Sequence, residues 1–115
     1  MEKEKTKKAK QIIVTASYYE EKYFLNPEFV SLPKEIQKEL IEISIVLAQK
    51  IRGIFMIAFN EEGNVILEIR SIAGEYDFDE IGGELEIKKI QREKQDLWNS
   101  LEYWYKWIYL SNHGR

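Results

Sequence analysis

The residues best equipped for chemistry lie together in "GEYDFDEIGGELE", positions 74–86. Glu75, Asp77, Asp79, Glu80, Glu84 and Glu86 arrive there with no base among them. Carboxylates at this density suit two kinds of work. They can hold a hard cation such as calcium or magnesium, or they can supply the proton donor and acceptor of a hydrolase. A calcium-loop count from Glu75 puts Asp77, Asp79 and Glu86 at positions three, five and twelve, but Glu80 stands where the sharp turn requires glycine. A count from Asp77 puts Ile81 at five and Lys88 at twelve. Glu75, Asp77, Asp79 and Glu86 are therefore weak metal candidates, and no metal site is assigned. No neighbour picks out one carboxyl pair for hydrolysis. The plainer reading is electrostatic: Asp79 and Glu80 favour a helix start, Gly82-Gly83 gives a bend, and Glu84 can pair with Lys88.

Other catalytic sets are missing. The sequence has no Cys, which removes thiolate nucleophiles, thiolate metal sites and disulfides together. Its one histidine, His113, is the third residue from the end and poorly placed as a triad base. The paired glycines lack the spacing of a phosphate loop. No catalytic residue and no cofactor is expected.

The second concentration is aromatic: "LEYWYKWIYL", 101–110, holds Tyr103, Trp104, Tyr105, Trp107 and Tyr109. On a helix, only Glu102 and Lys106 form a polar sector, so most of the remainder must be covered. Rings of this size hide about 150–250 Å² each when buried, more than one short companion helix covers. An interior role combined with a self-association surface is the leading expectation, ahead of purely interior packing and of a ligand-gripping wall. Membrane insertion is disfavoured by Glu102 among the rings and by the want of a basic face. Base stacking is disfavoured by the acidic body: net charge is -3, and five Lys against two Glu in residues 1–10 leave about -6 for the remainder. Neither nucleic acid nor membrane is expected as a partner.

One domain is expected at 115 residues: a lysine-rich flexible arm over 1–10, an α+β domain over 11–110 and a tail over 111–115. "QIIVTA" (11–16) reads as a candidate strand, and Ser17 as the cap of a short helix ending before Asn26-Pro27. Ile36, Leu40, Ile43, Leu47 and Ile51 set out a central helix over 32–52, with Ser31 able to cap it and Gly53 able to end it in a left-handed conformation. "GIFMIAFNEEGNVILEIRSI" reads as a hairpin over 54–72, turned at Gly63, whose first arm is apolar on both faces and therefore central. A small antiparallel sheet of three strands follows. A long helix from about 79 to 110 carries the seam Ile87, Ile90, Lys94, Leu97, Leu101, Trp104 and Ile108. Packing against the central helix would produce that seam, and so would a dimer. With Tyr105 and Trp107 added, these nine residues are the expected interface.

The stretches "SYYEEKYFLNPEFVSLPKEIQKEL", "FNEEGN" and "YDFDEIGGELEIKKIQREKQDLWNSLEYWYK" resemble a family of short uncharacterised proteins of anaerobic Gram-positive bacteria that carries only a domain-of-unknown-function label. The likeness spans about residues 17–106, with "DEIGGELEIKKIQREK" its most distinctive piece. It implies a bacterial intracellular setting and transfers no catalytic residue. With no signal-peptide core and no apolar run near the ~18 residues of a spanning helix, a cytoplasmic location is expected. The function expected is non-enzymatic protein interaction, most simply a homodimer. The alternatives are a small-ligand or divalent-metal enzyme built on 75–86, and an acidic antagonist of a basic partner such as a toxin antidote.

Overall fold

In the computed structural model, which describes residues 10–72 and 78–112, four antiparallel strands form one sheet and the helices pack on one of its faces. Strand β1 (Gln11–Ser17) turns into β2 (Lys22–Leu25), a single 3-10 turn follows at Pro27–Phe29, and α1 spans Lys34–Ile51. Then come β3 (Ile54–Phe59), β4 (Val65–Arg70), α2 (Glu80–Glu93) and α3 (Gln95–Trp104). The last helix runs on into a π-helical turn, Tyr105–Tyr109, and a final turn, Leu110–Asn112. The sheet order is β2-β1-β3-β4. The α+β class expected from the sequence is thus the class observed.

The hairpin β3–β4 forms as its alternation dictates. Val65, Leu67 and Ile69 join the core, while Glu68 pairs across the opposite face with Met56 and binds the Lys10 ammonium at 2.8 Å. Gly63 takes φ +84 in the turn, and Asn60 closes it by accepting from the backbone N–H of Glu62 and Asn64. β3 is one of the two inner strands: Phe55 through Phe59 are all buried, as a run apolar on both faces requires.

Three details differ from the sequence reading. Ser17 to Leu25 is a hairpin and not a helix. The Ser17 hydroxyl accepts the Glu20 N–H in a turn, Glu21 adopts a left-handed φ of 55°, and Tyr23 and Leu25 pair with Ala16 and Val14. Pairing with β1 outweighs the local helical signal of "YYEEK" and adds a fourth strand.

The central helix begins without a side-chain cap, its first carbonyl coming from Pro33, and it ends on Arg52, not Gly53, in the left-handed conformation. Gly53 is needed for space: a Cβ there would meet the Phe78 ring at 2.5 Å and the Arg70 carbonyl at 2.8 Å.

The C-terminal helix is interrupted. It starts at Glu80 with Gly82 and Gly83 inside it, and it kinks at Lys94 (φ -113, ψ 32). At the kink the Trp98 indole N–H donates to the Ile90 carbonyl, and Lys94 reaches across to Glu39 of α1 at 2.9 Å. That ion pair explains a lysine in the middle of an apolar seam. Lys50–Glu86 at 3.6 Å ties the end of α1 to the middle of α2, in antiparallel register.

Candidate interaction surface

Rings sort into two sets at the end of the chain. An inward set gathers on Phe29, the last residue of the 3-10 turn, which is fully buried. Its ring lies 5.6 Å from Phe59, 6.2 Å from Trp104, 6.3 Å from Tyr105 and 5.0 Å from Tyr109. Tyr105 stacks on Phe59 at 4.1 Å and on Tyr109 at 5.4 Å. Offset and edge-on pairs at these separations contribute beyond the area they hide. The Tyr109 hydroxyl donates to the Glu28 carboxylate at 3.0 Å, so the phenol is satisfied while its ring is buried. Burial raises the Tyr105 phenol above its ordinary pKa; burial, then the Glu28 hydrogen bond and charge, raise that of Tyr109.

The polar sector of the helix also faces protein. Glu102 accepts the Val65 N–H at 2.8 Å, capping a backbone donor at the start of the edge strand β4, and Lys106 donates to the Asn64 side chain at 3.3 Å. The helix is thereby fixed along the β3–β4 turn, and its rotation is settled.

What remains turned away from the core is an apolar strip. Tyr103 and Trp107 are 62% and 65% exposed with ring centroids 6.4 Å apart, and Ile108 is 45% exposed. Trp104 is half-buried and joins the strip to a cleft of about 240 Å³ between the start of α1 and α3, lined by Leu32, Pro33, Ile36, Leu97, Ser100 and Leu101. Ser100 is the one residue of that lining with a polar side chain.

Of the nine residues expected at an interface, Ile87, Leu97, Leu101 and Tyr105 are buried in the chain's own core, and Ile90 and Lys94 are half-buried beside α1. Trp104, Trp107 and Ile108 are the members open to a second molecule. Tyr103, Pro33 and Ile36 belong with them and were not anticipated. The i, i+4 spacing of Tyr103 and Trp107 was the signal available for the first; nothing local marked the other two.

The acidic bend divides differently. Glu75 and Asp77 lie outside the described residues. The Asp79 carboxylate accepts the Gly82 N–H as a helix cap, and Glu86 faces Lys50. Among the described residues no group of three or more His, Cys, Asp or Glu side chains is placed to share a metal ion. Also among them, no helix is long and apolar enough to cross a membrane.

By architecture the chain is a small two-layer α+β domain, one sheet with its helices on a single face. By sequence it belongs to a family of unknown function, DUF6145, whose model matches residues 10–113. No curated protein and no solved structure matches it.

Proposed function

We propose that this domain works by protein interaction and that its simplest partner is a second copy of itself, joined through the strip of Tyr103, Trp104, Trp107 and Ile108. The observation that supports this is a knob and a hollow on one surface. Trp107 projects as the knob, and the 240 Å³ apolar cleft between α1 and α3 is the hollow. A surface carrying both is self-complementary under a two-fold axis, the commonest arrangement of homo-oligomers. Exposed aromatic residues are also the usual anchors of interfaces.

The size of the patch sets the expected strength. At the exposures given, Tyr103, Trp107 and Ile108 present about 300–400 Å² per chain, within the range of the largest patches on monomers, which are often functional. Two such patches fall short of the ~1,200–2,000 Å² of a stable complex. A reversible dimer with Kd on the order of 10–100 µM follows.

Sedimentation velocity and light scattering across about 1–300 µM test it. The wild-type chain is expected to move from monomer to dimer, and Trp107→Ser to stay monomeric with an unchanged melting temperature, because the residue is outside the core. A wild-type chain that is strictly monomeric at the top of that range, with its indole emission still open to quencher, would overturn the proposal.

A further inference from the structure

At the other end of α1, about 25 Å from the strip by helix length, lies a larger hollow that the interaction surface does not use. It measures about 610 Å³ and is bounded by the β1–β2 hairpin and the last two turns of α1. Its origin is architectural. The helix packs over β1 and β3, so the inner side of the short edge strand β2 overhangs with little above it. Tyr23, which pairs with Ala16, is left 52% exposed there. Ala16 and Ala48, both buried, floor the hollow where any larger apolar residue would fill it.

The lining is unusual in its backbone. Among the described residues only two non-glycines have a positive φ, Glu21 at 55° and Arg52 at 57°, and both line this hollow. A left-handed helix end normally takes glycine, since a Cβ is strained there. Here it takes arginine. Residues held in such conformations gather at ligand sites.

The side chains are also uncommitted. Arg52 and Lys22 take part in none of the ion pairs among the described residues, which are Lys10–Glu68, Lys50–Glu86, Arg70–Glu68 and Lys94–Glu39. Tyr18 and Tyr23 bring two phenol rings to the rim.

We infer that this hollow binds a small planar aromatic anion, its ring against Tyr18 and Tyr23 and its carboxylate or phosphate in the fork of Arg52 with Lys22 alongside. Phenol rings favour a flat, polarisable partner. The guanidinium matches a two-oxygen anion through paired N–H donors. Two cations against the single Glu21 carboxylate leave the lining net positive even after the partial negative charge of the helix end is counted. The volume is in the range of small-molecule sites.

The probes are indole-3-acetate and phenyl phosphate, followed by saturation-transfer NMR and by amide shifts of residues 16–23 and 48–53, with neutral indole and plain acetate as controls. At least one of the aromatic anions is expected to bind with a Kd of about 0.1–5 mM, a range set by its small size, and to do so at least tenfold more tightly than either control. The arm that binds more tightly identifies the anionic group. Arg52→Gly is expected to weaken that binding at least tenfold while raising the melting temperature by about 2–6 °C, because glycine relieves the left-handed strain. A loss of binding in that variant is therefore not a loss of fold. Tyr23→Ala, on an exposed edge, is expected to weaken it several-fold. Binding of neither anion up to about 10 mM, binding unchanged in Arg52→Gly, or equal binding of neutral indole would each overturn the assignment.

Discussion

If Phe29 is the hub on which the inward rings meet, its removal should cost as much as a large core deletion, although it sits in a three-residue turn. Phe29→Ala takes away a fully buried ring that contacts four others. Transfer and cavity terms for such a change come to about 3–5 kcal/mol. A domain of this length has a stability of roughly 6–17 kcal/mol, so the variant should remain folded with a melting temperature about 12–20 °C lower. Urea unfolding followed by tryptophan emission measures the loss, and Phe29→Leu, which keeps most of the volume but not the ring pairs, should cost about 1–3 kcal/mol, less than Phe29→Ala. A double-mutant cycle with Tyr109→Leu should show a coupling of about 0.5–1.5 kcal/mol, the surplus of an aromatic pair over its area. A cost below about 1 kcal/mol for Phe29→Ala, alongside an ordinary cost for Phe59→Ala, would refute the docking of the 3-10 turn against the terminal helix. The division of rings into inner and outer sets would go with it.

Other consequences are smaller and separable. Glu102→Ala should cost about 1–2 kcal/mol by stranding the Val65 N–H, with faster hydrogen exchange at that amide, while Glu102→Gln keeps an acceptor and most of the stability. Asp79→Ala should cost about 1 kcal/mol and speed exchange at Gly82 and Gly83, whose helical conformation leans on that cap. Because the Tyr105 and Tyr109 phenols are raised in the folded chain, their contribution is constant below about pH 10 and is lost as pH climbs through their folded values. The unfolded chain releases those protons first, so stability falls with rising pH. Urea titrations between pH 8 and 11 on the wild-type chain and on Tyr105→Phe/Tyr109→Phe isolate this term.

Where a segment's period and its burial agree, the sequence sufficed. The second arm of the 54–72 hairpin is written in alternation, its first arm in an unbroken apolar run, strand 11–16 in β-branched residues, and the body of the central helix in three-and-four spacing. The strand Lys22–Leu25 was hidden because Glu20, Glu21 and Lys22 are ordinary helix formers, and its pairing depends on β1 rather than on its own residues. Gln37 and Ser44 were hidden for a related reason. Both are polar, both are buried, and both are tolerable only through partners the period does not reveal. Gln37 donates to the Val30 and Leu32 carbonyls, and Ser44 to the Leu40 carbonyl. At the candidate surface, the concentration of rings was plain from composition, but the direction of each was not.

For Tyr109 and Ile108 that direction is decided by the π-helical turn. Taking Leu101 as facing the core, a regular helix at 100° per residue places Ile108 about 20° from the core direction and Tyr109 about 80° away. Over Tyr105–Tyr109 the bonding widens, and the Leu110 N–H reaches back five residues to the Tyr105 carbonyl. Such a turn takes roughly 4.4 residues, or about 82° each. Counting on from Tyr105, Tyr109 swings to within about 10° of the core direction and Ile108 out to about 75°. The burial follows suit: Tyr109 is hidden and Ile108 open. One extra residue in a turn thus places a phenol on Phe29 and Glu28 and, by the same rotation, sets Ile108 beside Trp107 on the outside. The places of Tyr109 in the inner cluster and of Ile108 in the exposed strip are two results of a single local geometry, so a change that restored a regular helix there would disturb both together.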